Sequence, residues 1–542
     1  MSTTWKHIAE VRRILQNEQG ATVKEWGGRL PVALIYPNTY YVGMSSLGLH
    51  TVCRLFNDHD DVVCERVFWN EGAPLLSIEG QRPLADFAVL AFTVSYELDY
   101  LNVVEMLRAA GIPRRADERD RDWPLLIAGG PAVTANPEPL APFCDAFAIG
   151  EGEVIIPPLL DTLREGISGD REELLRALST VHGLYVPHLP GAQPPVARQW
   201  VRDLDAWPTA TVVYTADTEF GDRTLIEVSR GCGRGCRFCL AGFCYRPPRE
   251  RSVEALLAQA REGLRHRESV GLVGAAVSDY SRINELVAGL REMGAGVSVS
   301  SLRVDPLPDA LLQVLVESGT RTLTIAPETG SQKLRTAINK GVSEDDVLRA
   351  AHTAASHGFA QLKLYFMVGL PGETEDDVQA IVDLALAVAD RFQRQVTVNL
   401  TPFVPKAHTP FQWAAMADVE TLRARITHVQ RALRRRGVAV RAESPAWAAV
   451  QGVLARGDRR VGAALLALER PTLSGWRKAL AAVELDQTAY LDEWALDAPL
   501  PWQVVSSGAD VAYLRREWEQ ARDGRETAPC PHERCRLCNV CE

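Results

Sequence analysis

Short apolar runs alternate with amphipathic segments along this 542-residue chain, and the alternation restricts the fold more than any other sequence feature. Before residue 180, the apolar runs have the length of buried strands and occupy residues 32–36, 62–67, 89–92, 125–128 and 146–149. Strands that alternate with helices predict a parallel sheet covered on both faces. We therefore expect residues 1–185 to form a doubly wound α/β domain of the Rossmann or flavodoxin-like kind.

A stretch rich in proline and glycine follows and predicts a linker over residues 186–220. The alternation then resumes, with predicted strands at residues 225–228, 272–277, 297–301, 323–326, 362–368 and 396–400. Six such units predict a partial (β/α)6 barrel, similar to a TIM barrel, over residues 221–413, with its chemistry at the C-terminal strand ends. A mostly helical accessory region is predicted over residues 414–525, and a cysteine-rich tail over residues 526–542.

Composition excludes several classes of protein. A formal charge of -10 and a pI near 5.7 argue against a protein that coats nucleic acid by bulk electrostatics. The segment from Met1 to Gly20 lacks the apolar core of a signal peptide, and no run of about 18 apolar residues indicates a membrane span. We therefore expect a cytoplasmic protein. In such a chain, bunched cysteines indicate metal or cluster binding rather than disulfides.

Three cysteines, Cys232, Cys236 and Cys239, share one glycine-rich loop directly after the first predicted barrel strand. Three thiolates on one loop can ligate three irons of a cubane and leave the fourth iron open to a reactant. The alternative is a structural zinc site completed by Cys244 or by a histidine, because four soft ligands on a short loop also suit zinc.

This motif, with Phe238 before its last cysteine, resembles the CxxxCxΦC motif of the radical S-adenosylmethionine (SAM) superfamily. The resemblance implies a [4Fe-4S] cluster on Cys232, Cys236 and Cys239 that binds SAM and cleaves it to a 5'-deoxyadenosyl radical. It also implies an oxygen-sensitive enzyme and an electron donor such as flavodoxin or ferredoxin. Phe238 is then a candidate residue of the SAM site.

Further SAM contacts are predicted where later barrel strands end. Ser278 and Asp279 follow the second strand, where the superfamily has polar groups for the SAM amine, although Asp279 could instead cap the helix near Arg282. Gly369 begins a loop that resembles the loop beside the adenine in one branch of the superfamily, and a plain turn is the alternative.

Glu328 lies in a sequence that resembles the ExGS…NKG signature of the same branch, which includes methylthiotransferases and cobalamin-dependent members. The resemblance makes Glu328 a candidate SAM contact. Its alternative role is a carboxylate at a strand end, paired with Arg335 or Lys340.

The N-terminal domain has glycine turns at predicted strand ends, namely Gly129, Gly130, Gly150 and Gly152. In radical SAM proteins with an N-terminal cobalamin-binding domain, such turns flank the corrin. Nearly the whole chain resembles a group of uncharacterised radical SAM proteins with a domain of this kind. The Asp-x-His-x-x-Gly cobalamin motif does not occur, so both a bound cobalamin and a repurposed domain stay open.

Four cysteines, Cys530, Cys535, Cys538 and Cys541, end the chain, with His532 between the first two. Four thiolates at this spacing predict a closed metal site. Zinc and an auxiliary iron-sulfur cluster both fit, because both accept four cysteines.

The sequence thus predicts a radical SAM enzyme that acts on a substrate carbon-hydrogen bond and, with cobalamin, transfers a methyl group. Without cobalamin the expected outcome is rearrangement, ring formation or sulfur insertion. A non-catalytic iron-sulfur or RNA-binding module is the alternative class. The substrate is open between a small molecule, a peptide and a tRNA, and the sequence does not determine the oligomeric state.

Overall fold

The computed structural model describes residues 3–191, 194–530 and 535–541. In chain order the strands are β1 (Leu30–Tyr36), β2 (Val62–Phe68), β3 (Val89–Thr93), β4 (Leu125–Gly129), β5 (Ala146–Ala148), β6 (Leu184–Tyr185), β7 (Val196–Ala197), β8 (Thr224–Glu227), β9 (Ser229–Arg230), β10 (Arg249–Glu250), β11 (Ser269–Val273), β12 (Gly296–Val299), β13 (Thr322–Glu328), β14 (Gln361–Val368), β15 (Gln395–Pro402), β16 (Ala439–Ala442) and β17 (Val505–Ser506).

Helices connect most of these strands. They are α1 (Thr3–Gln16), α2 (Tyr40–Gly43), α3 (Leu47–Asn57), α4 (Asp99–Ala109), α5 (Pro131–Ala135), α6 (Gly152–Gly166), α7 (Arg171–Leu178), α8 (Ala241–Cys244), α9 (Val253–Gly263), α10 (Ile283–Glu292), α11 (Asp309–Glu317), α12 (Gln332–Ala337), α13 (Glu344–Ser356), α14 (Glu375–Phe392), α15 (Val419–Arg434), α16 (Pro445–Arg456), α17 (Arg459–Ala467), α18 (Leu473–Ala482), α19 (Thr488–Leu491) and α20 (Val511–Arg522).

The chain divides into two compact units. Unit 1 contains Met1–Thr224, Leu454–Gln487 and Pro499–Ser507. Unit 2 contains Leu225–Val453, Thr488–Ala498 and Gly508–Glu542. The predicted helical accessory region is therefore not a unit of its own: α17 and α18 belong to unit 1, whereas α15 and α20 belong to unit 2. The reason is that each amphipathic helix buries its apolar face in the core nearest to it, which helical periodicity does not specify.

Unit 1 contains a six-stranded sheet in the order β2-β1-β3-β4-β5-β6. The first five strands pair in parallel, as the alternating sequence predicts, and β6 pairs antiparallel to β5. Strand β1 is almost wholly buried because helices cover both faces of the sheet. The strand order reverses between β1 and β3, and ligands of doubly wound folds bind beyond the strand ends at such a point.

The predicted linker is part of unit 1. Strand β7 pairs in parallel with β17. Gln199 then docks on the end of the large sheet, where its backbone N–H donates to the Ile149 carbonyl at 3.0 Å and its carbonyl accepts from the Glu151 N–H at 3.0 Å. Prolines break helical periodicity but do not prevent an extended chain from pairing with a sheet edge, so this stretch is ordered against the domain.

Unit 2 contains a partial barrel made of two sheet segments, β12-β11-β8 and β13-β14-β15-β16. A parallel bridge between Leu302 and Ile325 joins the two segments. Strand β11 begins three residues before the predicted start at residue 272, at Ser269. Strand β16 adds a seventh strand inside the stretch predicted to be mostly helical. It is a short edge strand with exposed residues, so it lacks the apolar run on which strand prediction depends.

No helix in the described part of the chain has the length and apolar character needed to span a membrane.

Candidate active site

The cysteine loop begins where the first barrel strand ends. After β8, the short strand β9 pairs antiparallel with β10. Residues 231–239 form the loop that leads from β9 to α8. Gly231 has a φ of +83°, and a Cβ there would lie 2.4 Å from the Tyr245 carbonyl oxygen. Only glycine fits this close approach. The loop then turns through a hydrogen bond from the Cys239 N–H to the Cys236 carbonyl at 3.0 Å.

The three cysteines of this loop affect one another electrostatically. Burial raises the pKa of the Cys239 thiol to about 12, and the neighbouring charges of Cys236 and Cys232 add to the rise. Burial also raises the pKa of Cys232, with Cys236 again a neighbour. Three thiolates in such surroundings fit an iron cluster, whose positive charge holds its ligands deprotonated. Within the described residues, no three His, Cys, Asp or Glu side chains are gathered closely enough for a single metal ion.

Glu328 forms a buried ion pair beside the thiols. Its Oε1 lies 2.7 Å from Lys340 Nζ, and both side chains are largely buried. A β-bulge between Ile325 and Glu328 gives Glu328 a φ of +69°, which is strained for a residue with a Cβ. Lys340 also acts electrostatically on Cys236 and is thus part of the same site. The pairing with Lys340 matches the alternative role of Glu328, and its contact with SAM stays a prediction.

Asp279 is paired with two arginines. It accepts hydrogen bonds from Arg234 Nε and Nη2 at 2.8 and 2.7 Å, and Arg303 Nε lies 3.5 Å away. Helix α10 has Arg282 at its N-cap and no side-chain cap, so Asp279 does not have the alternative role of a helix cap. The carboxylate instead ties the cysteine loop to the end of β11.

Ser278 is 3% exposed, and its Oγ has no hydrogen-bond partner among the described residues. A buried hydroxyl without a partner is unfavourable unless a bound molecule supplies the missing hydrogen bond. This observation fits the predicted SAM contact. Phe238 is half-buried on the cysteine loop, and its own contact with SAM stays a prediction.

Contacts within the protein require a glycine at position 369. It has a φ of +90°, and a Cβ would lie 2.6 Å from Leu422 Cδ2 on α15. Its N–H donates to Glu373 Oε2 at 2.7 Å, and Arg425 also binds that carboxylate. Burial raises the pKa of Glu373 to about 7. The plain-turn alternative explains this glycine, and its contact with SAM stays a prediction.

Sequence reasoning missed Arg237, a fully buried cation within the cysteine motif. Its Nε donates to Glu517 Oε2 on α20 at 3.1 Å, and its Nη atoms donate to the Ala337 and Arg525 carbonyls at 2.8 Å each. The side chain therefore fastens the cysteine loop to α20 and to the segment that leads into the tail. An arginine between two predicted cysteine ligands was a sequence signal for a role in the site. The sequence did not indicate its partner, Glu517, which lies 280 positions away.

The tail reaches the cysteine loop. The Cys530 N–H donates to the Gly233 carbonyl at 2.6 Å. A cavity of about 260 Å³ is lined by residues of both segments, including Cys232, Asp279 and Cys530. The chain thus brings together two groups of cysteines that are far apart in the sequence.

Three tail cysteines act electrostatically on the fourth, Cys541. Burial raises the pKa of the Cys541 thiol, and the charges of Cys530, Cys538 and Cys535 add to the rise. Cys538 is 3% exposed, and its carbonyl accepts from the Asp510 N–H at 3.0 Å. His532 lies outside the described residues. The structure does not gather three of these thiols closely enough for one metal ion among the described residues, so a zinc or iron-sulfur site on the four cysteines stays a prediction.

In unit 1, the predicted glycines are explained by packing within the domain. A Cβ at Gly130 would lie 2.6 Å from the Val94 carbonyl oxygen, and a Cβ at Gly150 would lie 2.2 Å from that of Gln199. Gly129 ends β4 against Ala148, and Gly152 begins α6. These contacts account for the glycines without a ligand, and their role in cobalamin binding stays a prediction.

Exposed apolar side chains occur instead in α2 after β1 and in the loop after β3, where the strand order reverses. Tyr41 is 44% exposed, Val42 is 36% exposed and Tyr96 is 42% exposed. Nearby, Asn38 Nδ2 donates to Asp99 Oδ1 at 2.9 Å, and burial raises the pKa of Asp99 to about 6. Sequence reasoning missed this surface, although its position at the switch point is the expected ligand edge of the fold.

Two family models match the chain. The model of the radical SAM superfamily matches residues 226–385, and the model of N-terminal regions of radical SAM proteins matches residues 48–187. An uncharacterized protein of Methanocaldococcus jannaschii, MJ0966, is 33% identical over 448 residues, which cover 81% of this chain and 92% of that protein.

A tRNA-2-methylthio-N(6)-dimethylallyladenosine synthase of Cereibacter sphaeroides is 28% identical over 225 residues, which cover 39% of this chain and 51% of that enzyme. The chain thus matches about half the length of this curated relative. Among solved structures, the methyltransferase TsrM of Kitasatospora setae has a TM-score of 0.52 at 13% identity, covering 84% of this chain and 99% of that one. The structure of OxsB has a TM-score of 0.53 at 13% identity, covering 92% and 80%. Both likenesses concern the fold.

Proposed function

This chain belongs to the radical SAM superfamily, and from that premise we propose that it transfers a methyl group to a substrate carbon with the help of cobalamin. It is a radical SAM enzyme, and its superfamily uses a [4Fe-4S] cluster and SAM. The family match therefore favours an enzyme over the non-catalytic iron-sulfur or RNA-binding module that the sequence left open. The proposed part is the reaction subtype.

The observation that carries the proposal is the exposed apolar surface of Tyr41, Val42 and Tyr96 at the switch point of unit 1. A doubly wound domain binds its ligand at this edge, and exposed aromatic side chains suit the flat face of a corrin. TsrM and OxsB, which share the fold, are described with bound cobalamin. Gly129, Gly130, Gly150 and Gly152 give backbone turns at the same edge of the sheet.

Each group of residues then has one task. Cys232, Cys236 and Cys239 would hold the cluster, which when bound supplies the electron that cleaves the carbon-sulfur bond of SAM. Arg303 and Lys340 place positive charge beside the thiolates. The Ser278 hydroxyl would accept a hydrogen bond from the SAM amine or donate one to its carboxylate, and the barrel would exclude water from the reacting atoms.

Partners follow from the same proposal. The enzyme needs a one-electron donor, for which flavodoxin or ferredoxin is suited. As substrate we propose a tRNA, a peptide or a small molecule. The relative from Cereibacter sphaeroides is named for a tRNA nucleoside, which supports a tRNA as one candidate.

Protein purified without oxygen from cobalamin-supplied cells is expected to contain close to one corrinoid per chain, measured by visible absorption and by release of the corrinoid. Replacing both Tyr41 and Tyr96 by serine removes apolar surface at the switch point, so we expect the corrinoid content to fall several-fold. Trp5→Ser is the matched control, because Trp5 is 62% exposed in α1 and should leave the content unchanged. Wild-type protein with an intact cluster but no corrinoid would contradict the proposal.

The second candidate is radical chemistry without cobalamin, such as rearrangement, ring formation or sulfur insertion. It is favoured by the close contacts of Gly130 and Gly150, which explain these glycines by packing alone. The corrinoid measurement distinguishes the two candidates.

For the tail we propose a second metal centre on Cys530, Cys535, Cys538 and Cys541. Cys538→Ala should remove only the metal of the tail, whereas Cys232→Ala should remove only the SAM-cleaving cluster. Iron and zinc analysis of both variants, with electron paramagnetic resonance of the reduced proteins, checks this prediction. If both substitutions removed the same ion, the proposal of two sites would be wrong.

A further inference from the structure

Three polar side chains on the inner face of the barrel have no partner in the described protein: Lys363, Tyr365 and Asn399. From them we infer a binding site for an anionic group of the substrate, a carboxylate or a phosphate. The inference rests on the proposed function, because it names the class of molecule on which the radical acts.

The burial pattern shows which face these side chains occupy. On β14, buried and half-buried residues alternate strictly along the strand, and Leu362, Leu364 and Phe366 are at most 1% exposed. These apolar residues lie on the face that α14 and α15 cover. Because side chains alternate between the two faces of a strand, Lys363 and Tyr365 lie on the opposite face, inside the barrel.

Neighbouring strands bring the three side chains together. Tyr365 on β14 is in register with Asn399 on β15, and Lys363 is in register with Thr397, one pleat lower. Directly paired residues have Cβ atoms about 5 Å apart, and diagonal neighbours stay within reach of long side chains. One small ligand can therefore contact all three.

The layer below shows that polar side chains on the same strands satisfy one another. Thr322 Oγ1 donates to Gln361 Oε1 at 3.0 Å, and Gln361 Nε2 donates to Thr397 Oγ1 at 2.8 Å. In the layer of Tyr365 and Asn399, the Asn399 Oδ1 atom is buried without a hydrogen bond, whereas Tyr365, and Lys363 one pleat lower, are half-buried and make no side-chain hydrogen bond to a described residue. Buried polar atoms are normally paired, so a bound molecule is the expected partner of the Asn399 oxygen, and the two half-buried side chains are open to the same molecule.

The charged side chains of the barrel indicate which kind of ligand the site binds. The carboxylates near the barrel mouth already have cationic partners within 2.7 to 2.8 Å: Glu227 contacts Arg251, Asp279 contacts Arg234, and Glu328 contacts Lys340. Lys363 has no ion pair with a described residue, so its half-buried ammonium group is available to a bound anion. A carboxylate or phosphate supplies that anion and accepts from the Tyr365 hydroxyl, while the Asn399 oxygen accepts from a donor on the same ligand.

The depth of Lys363 separates this site from the cysteine loop. Lys363 lies five residues before Val368, the end of β14, which corresponds to about 16 Å of strand. The cysteine loop and Ser278 follow the C-terminal ends of their own strands. SAM that binds at the strand ends thus leaves the deeper part of the barrel to the substrate.

The test uses the full chain, reconstituted without oxygen and saturated with SAM, and measures its thermal unfolding midpoint. The probes are inorganic phosphate and succinate, each compared with potassium chloride at equal ionic strength. For the wild type we expect at least one probe anion to raise the midpoint by roughly 2 °C beyond the chloride value. Lys363→Met should lose this rise and Lys363→Arg should keep it. Lys478→Met on the exposed face of α18 makes the same change in charge and should also keep it.

A response to phosphate alone would indicate a phosphorylated substrate, and a response to succinate alone a carboxylic acid. The rise in the unfolding midpoint that SAM causes should be equal in wild type and Lys363→Met. Asn399→Leu, which removes a buried unpaired oxygen, should be at least as stable as wild type before anion is added and should respond less to it. The inference is overturned if wild type responds to neither anion, if Lys363→Met keeps the response, or if that variant loses protection by SAM. The unfolding measurement does not depend on the corrinoid content. Its result is therefore independent of the test of the proposed function.

Discussion

Cys236→Ala is expected to abolish formation of 5'-deoxyadenosine from SAM, to the level of a control without protein. Cys236 is the most buried of the three predicted ligands and lies between the other two in sequence. Two remaining thiolates do not hold a cubane with one open iron, so SAM loses its binding site and its electron source together. Anaerobic turnover with dithionite as reductant, followed by chromatography of the products, measures this loss.

The matched control is Cys144→Ala. Cys144 is fully buried in unit 1, where burial raises the pKa of its thiol and leaves it a small apolar side chain. Its removal should leave the yield of 5'-deoxyadenosine close to that of wild type. Equal yields from Cys236→Ala and wild type would overturn the assignment of the cluster to this loop.

Arg237→Met is expected to lower the free energy of opening of α20 by about 3–5 kcal/mol, because it leaves the buried Glu517 carboxylate without its cation. The loss should also release the tail from the cysteine loop, since Arg237 binds the Arg525 carbonyl and Thr527 Oγ1. Hydrogen exchange of peptides from α20 and from residues 231–239, followed by mass spectrometry, measures the effect without assuming that the two units unfold together.

Two comparisons make this result specific. Arg282→Met removes an exposed pair with Glu254 and Glu285, which solvent screens, so we expect little or no change in hydrogen exchange. The double variant Arg237→Met with Glu517→Leu removes both buried charges and should recover most of the lost stability. If the double variant exchanged as fast as the single one, the hydrogen bonds of Arg237 to backbone carbonyls would be the dominant contribution rather than the ion pair.

Some of the site was predictable because its residues are local in the sequence. The cysteine loop is one continuous segment, and its position after a strand follows from the same pattern that predicts the barrel. The partners of those residues were only partly predictable. Lys340 was one of two alternatives for the partner of Glu328, whereas Asp279 binds Arg234 across 45 positions, a pairing that sequence periodicity does not indicate.

The glycines of unit 1 show the same limit. A glycine after a strand indicates a turn or a close approach, but it does not indicate what approaches. At Gly150 the neighbour is the backbone of Gln199, from a stretch predicted to be a linker. At the switch point, the exposed Tyr41 and Tyr96 have no sequence signal, since apolar residues in loops are as often buried.

The sequence by itself determined the alternation of strands and helices, the parallel sheets and the segment that carries the predicted cluster ligands, because periodicity and short motifs act over a few residues. Only the tertiary structure decided that the helices after Trp413 are shared between two units, that the tail binds the cysteine loop and that Lys363, Tyr365 and Asn399 lie in adjacent layers of one barrel face. These features depend on contacts between residues far apart in the chain, whose energies are set by burial and by the pairing of polar groups.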